Sequence, residues 1–175
     1  MPHNHFVKFT SKTILFFFAF FLFSRSLLAA TAMTAQEFSG KDINGKSHSL
    51  KDYQGKFLVL YFWATWCPSC RAEVENVKEI YLREHSDQVK FLSVSLDTDR
   101  ARLKDFIQKN GIPYPVIFDG RGWENSIARD YSVIHTPTFF VIAPNQAVIA
   151  KGNWTRDLAA VFKEKSLFSS PEKAA

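Results

Sequence analysis

A chain of 175 residues, 46 % hydrophobic and 22 % charged, has the composition of one ordinary globular domain. Its formal charge of +5 is largely an N-terminal property: residues 1–32 carry Lys8, Lys12 and Arg25 and no acid, and without them the net charge falls to +2. So even a balance argues against the broad basic face that binds nucleic acid, and no nucleic-acid partner is expected.

The first segment in chain order is not part of the expected fold. Lys8 and Lys12 precede ten apolar residues, Ile14 to Phe23, and Ser24-Arg25-Ser26 leads into Leu28-Ala29-Ala30-Thr31-Ala32. Ala30 and Ala32 satisfy the A-x-A rule, so a secretory signal peptide spanning 1–32 is expected, cut after Ala32. The alternative is an uncleaved membrane anchor. Ten residues are short for a hydrocarbon layer of about 30 Å, and a longer span would bury Arg25. No cysteine lies near the junction to carry a lipid. The expected location is therefore periplasmic or otherwise extracytoplasmic. Residues 33–168 form the expected domain, and the polar stretch 169–175 is an expected flexible tail.

Within the domain, Asn44-Gly45 marks a hairpin between Phe38 and Leu50, and Asp52 to Lys56 reads as a turn. Phe57 to Trp63 is apolar throughout and short, which suits a strand buried on both faces. From Pro68 the spacing of Val74, Val77 and Tyr81 predicts a helix ending near His85. Val89 to Leu96 is a second strand, and Leu103, Phe106 and Ile107 mark a helix stopped at Asn110-Gly111. Tyr114 to Phe118 is a short extended piece, and Trp123, Ile127 and Tyr131 predict one further helix. Thr138 to Ile142, the turn Pro144-Asn145 and Ala147 to Lys151 read as a hairpin, followed by a helix carrying Leu158, Val161 and Phe162. The order is that of an α/β fold with a mostly parallel centre and an antiparallel edge.

The chain holds two cysteines, Cys67 and Cys70, two residues apart at the strand-to-helix junction. As a staple the pair is poor, because the stabilisation from a disulfide grows with the loop it closes. As a redox device it is well placed. Free thiols are mostly protonated at neutral pH, and the helix N-terminus with its unpaired N–H groups favours a thiolate at Cys67. Cys70 lies one turn on and on the same side. Cys67 is therefore expected to be the exposed attacking thiol and Cys70 the more buried resolving thiol. Pro68 fits the first helical turn, where its missing N–H costs nothing. Zinc is disfavoured on ligand count, since C-x-x-C supplies two of four ligands and His48, His85 and His135 are isolated. Copper(I) held by the two thiolates, with His135 approaching, is the reading from another class.

Phe62-Trp63-Ala64-Thr65-Trp66-Cys67-Pro68-Ser69-Cys70-Arg71-Ala72-Glu73 resembles the active-site segment of exported TlpA/ResA-type thiol-disulfide oxidoreductases, which carry a redoxin (AhpC/TSA-like) domain. Tyr131 to Thr138 resembles their second signature, and the likeness runs from about Gln36 to Phe168. It implies a thioredoxin-like fold, with a central mixed β-sheet flanked by helices, an N-terminal β-hairpin and a βα insertion between the motifs. It also implies a cis Pro137 beside the cysteines, with Trp66, Pro68, Thr136 and Pro137 forming the substrate-binding set. Glu73 would be the active-site carboxylate that exchanges the Cys70 proton; its alternative is a solvated glutamate beside Glu75, Glu79 and Glu84. Trp63 is expected in the core.

Two positions depart from the pattern. Tyr61 stands where ordinary thioredoxins carry a buried aspartate, and Glu75 stands where the helix usually has a kinking proline, so a straighter helix is expected. A peroxidase reading is weakened by Ala64, which occupies the Thr or Ser position three residues before a peroxidatic cysteine. The expected activity is reduction of protein disulfides through a mixed disulfide, in cytochrome c maturation or envelope redox homeostasis. No cofactor and no metal are called for. The expected partners are disulfide-containing or dithiol proteins and a membrane electron donor of the thiol-disulfide relay type, with the chain itself a monomer. A disulfide-donating oxidase is the alternative, since direction follows reduction potential.

Overall fold

The computed structural model describes residues 33–164. The expected signal segment 1–32, the expected tail 169–175 and the last residues of the expected domain lie outside the described residues. Among the described residues the elements run β1 (Ser39–Lys41), β2 (Ser47–Ser49), a 3₁₀ turn (Leu50–Tyr53), β3 (Phe57–Trp63), α1 (Pro68–Glu84), β4 (Val89–Ser95) and α2 (Arg100–Asn110). They continue with β5 (Val116–Ile117), a 3₁₀ turn (Gly122–Glu124), α3 (Ser126–Asp130), β6 (Thr138–Ile142), β7 (Val148–Gly152) and α4 (Thr155–Lys163).

The main sheet has the order β5-β4-β3-β6-β7. β3 runs parallel to β4 and β4 to β5, whereas β6 pairs antiparallel with both β3 and β7. This is the mixed α/β sheet expected. β3 occupies its centre, and all seven of its residues are buried, as an unbroken apolar run at a central position requires. Phe62 turns to one face, where its ring lies 5.9 Å from those of Phe140 and Tyr131. Val59, opposite Phe91 in the register, and Tyr61 turn to the other face, where Phe91 meets Tyr81 of α1 and Phe162 of α4.

Both sheet edges are covered. The β1–β2 hairpin meets β5 through an Asp42–Ile117 bridge and an Ile43 N–H to Val116 carbonyl bond of 2.8 Å. Its turn is closed by Asp42, whose Oδ1 accepts from the Asn44 and Lys46 amides at 2.9 Å, with Gly45 at φ +92°. His48 then links Asp42 Oδ2 (3.1 Å) to the Tyr53 hydroxyl (2.9 Å). At the other edge Met33 and Ala35 bond to Val148 and Gln146.

α1 is continuous from Pro68 to Glu84 and buries Cys70, Val74, Val77 and Ile80, a stripe at helical spacing. Its three aliphatic members contribute about 2 kcal/mol each by burial. The single helix expected around Trp123, Ile127 and Tyr131 is instead a 3₁₀ turn and the short α3. Asn125, 1 % exposed, separates them and caps α3 by accepting the Ala128 amide at 3.0 Å. An N-cap has non-helical backbone, so the earlier turn cannot run into the helix. The extended piece expected over Tyr114–Phe118 forms a ladder only at Val116–Ile117.

Candidate active site

The ends of β3 and β4, the start of α1 and the loop before β6 meet at one rim of the sheet. Cys67 is the N-cap of α1 (φ −79°, ψ 117°), and Pro68 follows in the first turn. Its Sγ accepts the Cys70 amide at 3.2 Å, so the helix N-terminus is aimed at this sulfur, and its S–H donates to the Thr136 carbonyl at 3.4 Å. Both cysteines are free thiols. Thr136–Pro137 is cis, as expected.

The expected contrast in exposure is corrected in degree. Cys67 is 4 % exposed and Cys70 1 %, so the attacking sulfur is itself buried. The N-cap position seats it between the Cys70 amide and the Thr136 loop, while its chain neighbours Trp66 (42 % exposed) and Pro68 face solvent. Burial, reinforced by the Cys67 sulfur beside it, pushes the Cys70 thiol up to about 12. Cys70 is thus the more deeply buried of the two, with its thiol held protonated.

Trp66 stands at the rim with its ring 6.1 Å from that of Trp123 and its Nε1 donating to the Leu96 carbonyl at 3.2 Å. Ile134, 84 % exposed, precedes the Thr136–Pro137 loop on the same chain segment. Trp63 is 1 % exposed and packs on Phe106, a core residue as expected. His135 is bonded through Nδ1 to the Thr138 hydroxyl at 3.0 Å. Among the described residues no three His, Cys, Asp or Glu side chains are grouped as a metal site.

Glu73 is not the freely solvated glutamate of the alternative reading. It is half-buried, and its Oε2 accepts the Thr155 amide at 3.1 Å and the Thr155 hydroxyl. It thus caps α4 from α1, with its charge at the positive end of that helix. Glu73 also lines a small pocket with Tyr61, Val77, Pro137, Phe139, Trp154, Thr155 and Leu158. The structure therefore gathers Trp66, Cys67, Pro68, Cys70, Thr136 and Pro137 around the sulfurs and turns Glu73 toward α4.

One residue with a clear positioning role escapes sequence reasoning. Asp97, 2 % exposed just beyond β4, accepts the Thr65 amide (3.0 Å), the Thr65 hydroxyl (2.5 Å) and the Ser95 hydroxyl (2.8 Å). These bonds hold the turn that delivers Trp66 and Cys67. In the sequence Asp97 stands two positions before Asp99, the cap of α2. Nothing local distinguishes Asp97, because its partner lies 32 positions earlier.

Comparison with known proteins agrees with this geometry. The AhpC/TSA family pattern matches residues 32–151. The chain is 30 % identical over 137 residues to the thiol-disulfide oxidoreductase ResA of Geobacillus thermodenitrificans, covering 77 % of each chain. Among solved structures, a thiol-disulfide oxidoreductase from Bacteroides fragilis superposes with a TM-score of 0.70 at 24 % identity, over 76 % of this chain and 99 % of the other, and supports the thioredoxin-like fold. StoA from Bacillus subtilis gives a TM-score of 0.61 at 26 % identity, covering 74 % and 97 %. With the C-x-x-C pair at the head of α1, these likenesses make the chain a member of the AhpC/TSA family and, within it, a ResA-like thiol-disulfide oxidoreductase.

Proposed function

We propose that this protein is exported and reduces disulfides of other proteins outside the cytoplasm. The observation that carries the reading is the seating of Cys67 at the N-cap of α1, with Cys70 buried one turn behind it. The Cys67 thiolate attacks a substrate disulfide; the new Cys67–substrate bond forms as the old S–S bond breaks, and one substrate sulfur leaves and is protonated. Cys70 gives up its proton and attacks Cys67, displacing the second substrate sulfur. The substrate gains two electrons and the enzyme pair becomes a disulfide. A membrane electron donor of the thiol-disulfide relay type then returns it to the dithiol.

Glu73, three residues after Cys70 and therefore on the same side of α1, is the proposed acceptor of the Cys70 proton. Trp66, Pro68, Thr136 and Pro137 receive the substrate segment, with the half-buried Thr136 backbone already bonding Cys67. The reducing direction is part of this proposal, and the potential of the Cys67–Cys70 pair decides it. Cytochrome c maturation or envelope redox homeostasis is the proposed setting. Residues 33–168 are the proposed mature domain, monomeric, with 1–32 as its signal and 169–175 as a tail. Among the described residues no helix is long and apolar enough to cross a membrane.

Equilibration against thiol buffers tests direction. A reductase has a potential near thioredoxin, about −270 mV, and reduces insulin; a potential near about −120 mV would make it a disulfide donor. Mass spectrometry of the protein recovered from cells tests export: the chain begins at Met33, and an intact Met1 terminus contradicts cleavage.

A further inference from the structure

Tyr61 is 6 % exposed, and among the described residues its hydroxyl is one of two buried polar side-chain atoms without a hydrogen-bond partner. Buried hydroxyls are nearly always bonded, so an orphan in the centre of β3 needs a reason. The other orphan is the indole N–H of Trp63, whose ring packs on Phe106. Tyr61 lies elsewhere. It lines the pocket shared by Glu73 of α1, Pro137 of the loop that meets Cys67, and Thr155 of α4.

Val77 and Glu73 of α1 line this pocket with Tyr61, and Cys70, one turn before Glu73, lies in the same buried stripe of that helix as Val77. The ionisable groups that act on the Tyr61 phenol are Cys70, Tyr114 from the segment before β5, Cys67 at the head of α1, and Glu73. From β6 and α4 the facing residues are Phe139, Thr155 and Leu158, which do not titrate. Burial holds the Tyr61 phenol far above its ordinary range, so it remains a neutral hydroxyl throughout the working pH. It can donate a hydrogen bond and cannot take a proton for keeps, the reverse of an aspartate at this position.

We infer that the Tyr61 hydroxyl donates a hydrogen bond to the Cys70 sulfur while that sulfur carries negative charge in the resolving step. This rests on the proposed roles of Cys67 and Cys70. Cys70 S–H releases its proton to Glu73 and then to solvent. The Cys70 sulfur pair forms the Cys67–Cys70 bond as the Cys67–substrate bond breaks, and the substrate sulfur leaves with the electron pair and is protonated. Tyr61 supplies no proton of its own; it offers a dipole that is unpaired in the resting dithiol and paired when the thiolate forms. An interaction gained only on the way to the transition state raises rate rather than ground-state stability. A buried thiol has more to gain from such a donor than an exposed one.

The test is the reaction of the reduced full chain with Ellman's reagent (DTNB) across pH. Attack by Cys67 releases the first thionitrobenzoate, and resolution by Cys70 releases the second. In Tyr61→Phe the second phase is expected to slow roughly tenfold relative to the first, and its pH midpoint to move up about one unit, the scale of one hydrogen bond to a charged group. A second phase with the wild-type rate and midpoint overturns the inference, as does equal slowing of both phases, which a purely structural role would give. Wild-type protein with no second phase would instead overturn the reading of Cys70 as the resolving thiol. Should Tyr61→Phe fail to fold, 3-fluorotyrosine at position 61 is a stronger donor of nearly the same shape. It is expected to speed the second phase and lower its midpoint, and no change in either overturns the inference.

Discussion

Replacing Asp97 with alanine removes the one acceptor that the turn before Trp66 depends on. Three donors lose their partner: the Thr65 amide, the Thr65 hydroxyl and the Ser95 hydroxyl. The hydroxyls can rotate toward other acceptors, whereas the backbone amide cannot, and a buried amide left unpaired costs about 1–3 kcal/mol. Each hydroxyl bond to a charged acceptor adds about 1.5 kcal/mol at the low end, and relief from burying a carboxylate returns part of the total. The net loss expected for Asp97→Ala is about 3 kcal/mol. Asp97→Asn keeps a carbonyl for the Thr65 amide and offers N–H donors to hydroxyls able to accept, so about 1 kcal/mol is expected. Urea unfolding of the reduced chain measures both, and the first phase of the Ellman reaction reports whether Cys67 has lost its seating. Asp97→Ala within about 0.5 kcal/mol of wild type, with Cys67 reacting at an unchanged rate, would refute the positioning role.

Further consequences follow from other contacts. Because burial holds the Cys70 thiol up to about 12 while an unfolded thiol ionises near about 8.5, the unfolded chain loses its proton first. That contribution to stability is complete below about pH 8.5 and declines as pH rises toward 12, by about 1.4 kcal/mol per unit, so the difference between wild type and Cys70→Ala narrows over that window. Parallel pH-stability curves for the two would contradict it. At Gly152 a Cβ would sit 2.5 Å from Phe139 Cζ and 2.9 Å from Asp157 Cβ. Gly152→Ala is thus expected to destabilise by about 1–3 kcal/mol, and a thermal midpoint equal to wild type would show that the ring can yield. Glu73→Ala removes the acceptor for Thr155 at the start of α4 and is expected to lose about 1 kcal/mol in urea, with Glu73→Gln losing less. Anaerobic copper(I) titration of the reduced chain checks the carrier alternative; the oxidoreductase reading expects no stoichiometric tight binding.

Much of the architecture is legible in local pattern. The unbroken run Phe57–Trp63 predicts the central strand to the residue, because burial on both faces leaves no room for polar alternation. Pro68 and the C-x-x-C spacing locate the head of α1, and Asn110-Gly111 its counterpart at the end of α2, where Gly111 takes φ +56°. What escapes the sequence depends on partners far along the chain. Asp97 reaches back 32 positions to Thr65, and Glu73 reaches forward 82 to Thr155, so neither bond leaves a periodic trace. The burial of Cys67 comes from the cis loop 69 residues later. Asn125 is different: its capping chemistry is local, but the apolar spacing of Trp123, Ile127 and Tyr131 masks it.

The division of labour between the two sulfurs is tested most directly by trapping. Reduced full-length Cys70→Ala is incubated with insulin, quenched in acid and analysed by mass spectrometry, beside Cys67→Ala. The structure predicts a stable insulin adduct on Cys67 in the first variant, with no adduct in the second, where the remaining Cys70 is 1 % exposed and its thiol is held protonated by burial. An adduct on Cys70 in Cys67→Ala, or none on Cys67 in Cys70→Ala, would contradict the assignment of attack to Cys67 and resolution to Cys70.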